Sequence, residues 1–260
     1  MPSSLKLLVV ALVLASGPSQ AAAPDSPKKL LELRSLVQDA NFRNDPTQLH
    51  ALSEQIATLS ADKKVEPYAL YEAGWADLAV FNAEFLAGRK KESAAALSSA
   101  LDRFRRTVAL MPEDADANAM LANALISIAI STPDGIRTYG PELARVRRRA
   151  LRLGPKNPRV VLMDAGMIFN TPPEHGGSQE EGLERWKEAL DLFEAEARTS
   201  PPHPLSPRWG RALAYGWMCD LYLAFKPPRT AEARKTAETA LRLRPDFWYV
   251  KERVLPRLKD

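Results

Sequence analysis

The residue types that most often perform catalysis are few in this chain and lie far apart. Its 260 residues include three histidines and one cysteine. His50, His175 and His203 fall in three separate segments, and no paired-cysteine, HExxH or phosphate-loop spacing accompanies them. Cys219 has apolar neighbours at helical spacing, which is typical of a buried, unreactive thiol. The pattern predicts no catalytic set, no metal site and no cofactor.

One loop, from Asn170 to Gly177, combines polar side chains with glycines. Glu174 and His175 could serve there as functional groups. The competing interpretation is a rigid turn, in which Pro172-Pro173 stiffens the backbone and the two glycines admit the chain to the next helix. The turn requires no ligand and is the interpretation that we adopt. The chain is therefore predicted not to be an enzyme.

The elements that would position such groups follow a repeated spacing of small, large, small and proline residues. In one copy Ala100 is followed by Phe104, Thr107 and Pro112. Small residues let two helices approach closely, and proline ends a helix because it lacks the N–H group. Related copies have the order Leu143, Arg147, Ala150, Pro155; Gly182, Trp186, Ala189, with Glu194 in place of proline; and Ala233, Ala237, Ala240, Pro245. Such internal repetition predicts an array of helices.

This order resembles the second helix of the tetratricopeptide repeat (TPR), and Gly74 falls where the family has glycine in the first helix. The resemblance implies an all-α fold, a helical-hairpin repeat array of the TPR-like α-solenoid type. We expect residues 22–66 to form an N-terminal helical pair and residues 67–260 to form the repeat domain. The loop at Asn170–Gly177 also resembles a turn of exported bacterial repeat proteins.

The N-terminus has the pattern of a signal peptide over residues 1–21. Lys6 precedes the apolar run Leu7–Ala15, and Ser19-Gln20-Ala21 presents small residues to a signal peptidase. The alternative is an N-terminal membrane anchor, which the helix-breaking Gly17-Pro18 disfavours. Cleavage after Ala21 or Ala22 would deliver the protein to the periplasm or outside the cell.

The remaining chain has neither a transmembrane segment nor a strong charge. No later window is apolar enough to span a bilayer. Removal of residues 1–21 takes away one of the 36 basic residues and leaves 35 against 32 acidic ones, a net charge of +3. This excess is too small to indicate nucleic acid or anionic lipid as a partner.

Aromatic residues in the first predicted repeat supply candidate groove residues. Tyr68, Tyr71 and Trp75 lie at i, i+3 and i+7, on the helix face that lines the concave groove in TPR proteins. Asn123 matches a family groove position, and Asn170 is a candidate for another. Phe169 would join Tyr71 and Trp75 if the groove closed into a tunnel. The competing interpretation is that this aromatic stripe belongs to the core.

Two further surfaces are candidates for partner binding. The segments Ser131–Pro141 and Asn170–Gly177 each follow the first helix of a pair, so we expect them on one edge of the array. The exposed polar groups of this edge would be Tyr139, Asn170, Glu174 and His175. A basic stripe formed by Arg145, Arg149 and Arg152 would suit an acidic partner, or would simply face solvent.

Together these features predict an exported, non-enzymatic TPR-like scaffold that binds a protein or peptide partner in the cell envelope. The alternative is a small-ligand-binding periplasmic helical protein, similar to those associated with TRAP transporters. An open groove would favour the scaffold. A closed apolar tunnel among Tyr71, Trp75 and Phe169 would favour the ligand-binding protein.

Overall fold

The computed structural model describes residues 25–258, and within this range the chain forms ten α-helices and no β-strand. The helices are α1 (Ser26–Arg43), α2 (Pro46–Thr58), α3 (Glu66–Leu86), α4 (Lys90–Leu110), α5 (Ala115–Ser131), α6 (Gly135–Leu153), α7 (Pro158–Asn170), α8 (Gln179–Glu196), α9 (Arg211–Ala224) and α10 (Thr230–Leu243). A π-helical turn (Val250–Val254) and a 3-10 turn (Leu255–Leu258) follow. The predicted signal peptide, residues 1–21, lies outside the described residues.

Side-chain caps begin several of these helices. Asp45 accepts a hydrogen bond from the backbone N–H of Gln48 at 2.9 Å, and Pro46 occupies the first helical position of α2. The Ser178 hydroxyl accepts from the backbone N–H of Glu181 at 3.2 Å and starts α8. In the sequence, Asp45 before Pro46 and Ser178 three residues before Glu181 predict helix starts, and the structure confirms both.

Consecutive helices pack in pairs, α1 with α2 through α9 with α10, and each pair packs on the next. The small residues of the repeated spacing lie at the crossings, where Ala100, Ala150, Ala189 and Ala240 are buried. A side chain at Gly74 would press on the ring of Phe104, at 3.1 Å, so glycine lets α3 approach α4. The predicted all-α, helical-hairpin repeat array is therefore confirmed.

The structure corrects the interpretation of Ser131–Pro141 as a connection between the two helices of a pair, because most of this segment is helical. Helix α6 begins at Gly135 and contains Pro141 in its interior. Its first turn forms because Asp134 adopts a left-handed conformation, with φ of 53°, and its carbonyl accepts from the N–H of Thr138 at 3.0 Å. Tyr139 consequently lies on a helix and packs against the core instead of projecting from a loop.

The two ends of the described chain contact each other. The ring of Phe247 meets the ring of Phe42, in α1, edge to face with centroids 4.9 Å apart. The Arg244 guanidinium lies 4.0 Å from the centroid of Phe42 and pairs with Asp39 at 3.0 Å. Helix α1 therefore packs on the segment that follows α10. None of the helices in the described range combines the length and the hydrophobicity needed to cross a membrane.

Candidate binding groove

Helix α3 carries the aromatic stripe predicted to line the groove, on successive turns of its N-terminal half. Tyr68 is half-buried, whereas Tyr71 and Trp75 are only 2% and 4% exposed. What buries them is not a neighbouring helix alone. The connection between α8 and α9, which we call the strap (residues 199–210), lies across this face.

Three aromatic contacts hold the strap to α3. The His203 ring stacks on Tyr68 with centroids 4.9 Å apart and an interplanar angle of 5°. The Trp209 indole stacks on Trp75 at 5.5 Å and 28°. The Trp209 indole N–H also donates to the Tyr71 hydroxyl at 2.9 Å. The stripe predicted to face a partner is thus covered by the chain itself.

Arg34, from α1, binds the main chain of the strap. Its two terminal nitrogens donate to the carbonyl oxygens of Leu205, at 2.5 Å, and Ser206, at 3.1 Å. Its Nε lies 2.7 Å from Oε1 of Glu72, an ion pair whose angle does not suit a hydrogen bond. Arg34 therefore links α1, α3 and the strap through a single guanidinium group.

Arg159, at the start of α7, binds the other end of the strap. Its Nη1 donates to the Trp209 carbonyl at 3.1 Å. Its Nε donates to Asp116, at 2.5 Å, and its Nη2 to Glu196, also at 2.5 Å. Burial lowers the pKa of the Arg159 guanidinium, but the two carboxylates outweigh burial and the net pKa is raised. Arg159 is therefore a permanent cation that joins α5, α7, α8 and the strap.

The interior beneath the strap is polar as well as aromatic. Burial raises the pKa of Glu72, and Arg34 offsets this only in part. Its Oε2 atom is buried and accepts no hydrogen bond from any described residue. Burial also holds the pKa of the Tyr71 hydroxyl well above its usual value, so this group stays neutral and can accept from Trp209.

This arrangement can bind a non-helical segment of polypeptide. Guanidinium groups capture main-chain carbonyls, and aromatic rings receive side chains by stacking. Among residues 25–258, no group of three or more His, Cys, Asp or Glu side chains could hold a metal ion. Burial raises the pKa of the Cys219 thiol to about 12, which keeps it protonated and unreactive.

An open groove would favour the scaffold and a closed apolar tunnel would favour the ligand-binding protein, but the strap leaves neither. Trp209 fills the space over Tyr71 and Trp75, so that space is neither an open groove nor a tunnel. Phe169 packs on the Phe225 ring, 5.8 Å away between centroids. Asn123 is half-buried, and its main-chain carbonyl accepts a hydrogen bond from the Ser127 hydroxyl.

The residues proposed for the loop edge have separate environments. Glu174 and His175 are exposed on a short 3-10 turn, and the exposed Asn170 donates its side-chain amide to the Gly166 carbonyl at 2.8 Å. Gly176 has a φ of 84°, and a side chain at Gly177 would overlap the Thr171 carbonyl. Both glycines are therefore explained by the backbone of the turn.

The basic stripe is only partly free. Arg145 and Arg152 are exposed on α6, whereas Arg149 pairs with Glu113. The neighbouring Arg147, at the family's aromatic position, pairs with the buried Asp164 at 2.6 Å. That carboxylate also lies 3.5 Å from Arg185, so an ion-pair network replaces aromatic packing in this repeat.

Sequence reasoning missed Arg34, Glu72, Arg159, Leu205 and Trp209. A usable signal existed for the charged three, because each interrupts an apolar helix face: Arg34 follows Leu33 on the buried stripe of α1. A charge that must be buried needs a partner, and that partner marks a tertiary contact. Four prolines between Ser200 and Pro207 indicated a non-helical strap, but nothing local showed its turn at His203–Ser206 or where the strap lies.

Comparisons with known proteins bear on the fold. No family model matches the chain, and no curated protein matches it. TTC0263, a thermophilic TPR protein in Thermus thermophilus, superposes with a TM-score of 0.57 at 17% identity, covering 89% of this chain and 98% of that chain.

Two other solved structures are similar to lesser degrees. The HusA haemophore from Porphyromonas gingivalis has a TM-score of 0.49 at 23% identity, over 80% of this chain and 96% of that one. The assembly chaperone of RpL4, Acl4, has a TM-score of 0.35 at 16% identity, over 89% and 96%. The likeness to TTC0263, together with the paired helices, shows that the chain has a TPR-like helical-repeat fold.

Proposed function

We propose that the chain is an exported, non-enzymatic scaffold that binds a polypeptide partner in the cell envelope. One observation carries this proposal: side chains of α1, α3 and α7 hold a non-helical segment of polypeptide that contains a turn at His203–Ser206. They do so through main-chain carbonyls bound to Arg34 and Arg159, and through stacking on Tyr68 and Trp75. The TPR-like fold supports it, since stacked helical pairs provide extended binding surfaces.

Export is supported by the charged, apolar and small-residue order of residues 1–21. The test is expression of the full chain with a C-terminal tag in a Gram-negative bacterium, followed by fractionation and N-terminal sequencing. We expect a periplasmic or secreted product that begins near Ala22. A product that retains Met1, or one held in the membrane by its N-terminus, would contradict export.

Partner binding is tested with the same tagged product. We expect chemical cross-linking in the envelope fraction to join it to a defined polypeptide, and the purified pair to associate by calorimetry. Native mass spectrometry of the isolated chain tests the alternative, in which the chain binds a small molecule. A stoichiometric small molecule with no polypeptide partner would overturn the scaffold function.

A further inference from the structure

The strap identifies the kind of polypeptide that this groove accepts. We propose that the strap is a built-in competitor, and that the partner is a non-helical, proline-containing segment that displaces it. The partner would carry an aliphatic residue and a tryptophan four positions apart, as Leu205 and Trp209 are. This inference rests on the proposed function and specifies its partner.

The contacts divide into general and specific ones. The arginines bind the carbonyls of Leu205, Ser206 and Trp209, which any polypeptide could supply. Specificity comes from side chains, and among these Leu205, Pro207 and Trp209 are buried whereas His203 and Pro204 are exposed. Large buried anchors surrounded by weaker contacts are the usual pattern of peptide recognition.

Prolines fit this mode of binding. The strap has Pro201, Pro202, Pro204 and Pro207, which disfavour a helix and have no N–H group to satisfy. The groove supplies donors to carbonyls, from Arg34 and Arg159, together with aromatic faces. A segment rich in acceptors and poor in donors complements such a surface, so a proline-containing partner matches its chemistry.

Displacement should occur by exchange and not by simple opening. If the strap left an empty groove, Arg34 would lose both carbonyl acceptors while remaining in a pocket shared with buried Glu72. The buried faces of Tyr71 and Trp75 would also be exposed to water, which costs free energy in proportion to their apolar area. A polypeptide that supplies new carbonyls and a new aromatic anchor removes this cost, which favours replacement of one segment by another.

Because the strap is covalently linked to the groove that it fills, it weakens the binding of any outside peptide. A segment linked to its own site competes at an effective concentration on the order of millimolar. An outside peptide must overcome this competition in the wild-type chain. Removing the Trp209 anchor from the strap weakens the competitor and leaves Tyr71, Trp75 and both arginines in place. We therefore expect W209A to bind an outside strap peptide at least tenfold more tightly than the wild type.

The experiment uses a labelled synthetic peptide with the sequence of residues 199–210, and fluorescence anisotropy with the full mature chain. W209A is compared with the wild type and with W248A, a control tryptophan that lies outside the strap. We expect W248A to behave as the wild type does. A second peptide, with alanine at the position of Trp209, should not bind.

A folded W209A chain that fails to bind the peptide, or that binds the alanine peptide equally well, would overturn the inference. If W209A does not fold, displacement of the strap is measured on the wild type by hydrogen exchange. Excess peptide should then accelerate amide exchange at Leu205, Ser206 and Trp209 in the strap, and unchanged exchange would contradict displacement. A wild-type dimer with straps exchanged between copies, detected by light scattering and cross-linking, would assign the groove to a second copy and also overturn it.

The two proposals can fail separately. If the peptide does not bind but the chain still cross-links to an envelope polypeptide, the scaffold function stands and the groove assignment fails. If W209A binds the peptide but the chain captures no envelope polypeptide, the groove stands and the scaffold function fails.

Discussion

At the scale of single residues, buried ion pairs join helices of different repeats. Arg34 in α1 meets Glu72 in α3, and Arg159 in α7 meets Asp116 in α5. Replacing a buried pair by apolar residues is often neutral for stability, whereas removing one partner leaves an uncompensated charge. These pairs therefore define how successive helices are placed more than they strengthen the fold.

Asp77 shows the consequence of burial for pH. Its carboxylate accepts from the Ser53 hydroxyl and lies 3.3 Å from Nε of Arg103. Burial raises the pKa of Asp77 from 3.8 to about 6, and Arg103 and Ser53 offset burial only in part. The folded chain thus binds this proton more tightly than the unfolded chain, so the contribution to stability is complete below pH 4 and is lost as the pH rises through 6.

We predict that D77N removes this pH dependence. One pKa unit corresponds to about 1.36 kcal/mol, so the wild-type free energy of unfolding, relative to that of D77N, should fall by roughly 3 kcal/mol between about pH 3.5 and 7. Urea unfolding at several pH values measures the difference. The control D191N changes an exposed carboxylate and should show a much smaller trend. A constant difference between the wild type and D77N would contradict the prediction.

At the scale of elements, α6 shows how tertiary packing overrides a local signal. Gly140 and Pro141 disfavour a helix, yet α6 runs continuously from Gly135 to Leu153. Proline at position 141 cannot donate to the carbonyl of Arg137, four residues earlier. Packing of Tyr139, Leu143 and Val146 on the core compensates for the missing bond.

Replacing Pro141 by alanine should stabilise the protein. Interior proline costs a helix about 3 kcal/mol, and the more flexible unfolded chain of the variant returns up to about 1 kcal/mol. We expect P141A to raise the free energy of unfolding by about 2 kcal/mol in urea titrations. P158A, at the first position of α7, is the matched control and should not stabilise. If the free energy of unfolding of P141A is no higher than that of the wild type, the prediction that Pro141 destabilises the protein is wrong.

The crossing between α9 and α10 is equally testable. Ala240 is fully buried, so a leucine there must displace its neighbours at a cost of about 1–3 kcal/mol. A240L should lower the thermal midpoint, measured by circular dichroism. A231L adds the same volume at an exposed position of α10 and should change the midpoint little. Equal midpoints for the two variants would show that the repeat register is wrong.

At the scale of the whole molecule, the array is not a simple stack of neighbours. Helical-repeat proteins usually have contacts only between adjacent repeats. Here the strap reaches α1 and α3, and the segment after α10 packs on α1 through Phe247 and Arg244. These long-range contacts connect the two ends of the described chain, so we expect the repeats to unfold together.

Phe247 tests this connection. Truncating a buried phenylalanine to alanine costs about 3–5 kcal/mol, and F247A should destabilise the entire chain because the loss breaks contacts at both ends. The wild type should show coincident urea transitions by tryptophan fluorescence and circular dichroism. F85A, at a side chain that is 67% exposed, should have little effect. Transitions that do not coincide in the wild type would contradict the prediction that the repeats unfold together.

The helical repeat was predictable from the sequence because its determinants are local. Ala100, Phe104 and Thr107 mark successive turns of one helix, and the caps at Asp45 and Ser178 act on backbone groups three residues away. The aromatic stripe on α3 was also visible, since Tyr68, Tyr71 and Trp75 lie within two turns of one helix.

What covers that stripe was decided only by the tertiary structure. Trp209 and Tyr71 are separated by 138 positions in the chain, and Leu205 and Arg34 by 171. No periodicity in either segment encodes their meeting, because it depends on the summed rotation of the helical pairs between them. The sequence therefore determined a helical repeat array and an aromatic stripe on α3, and the packing of distant segments decided that the chain's own strap covers that stripe.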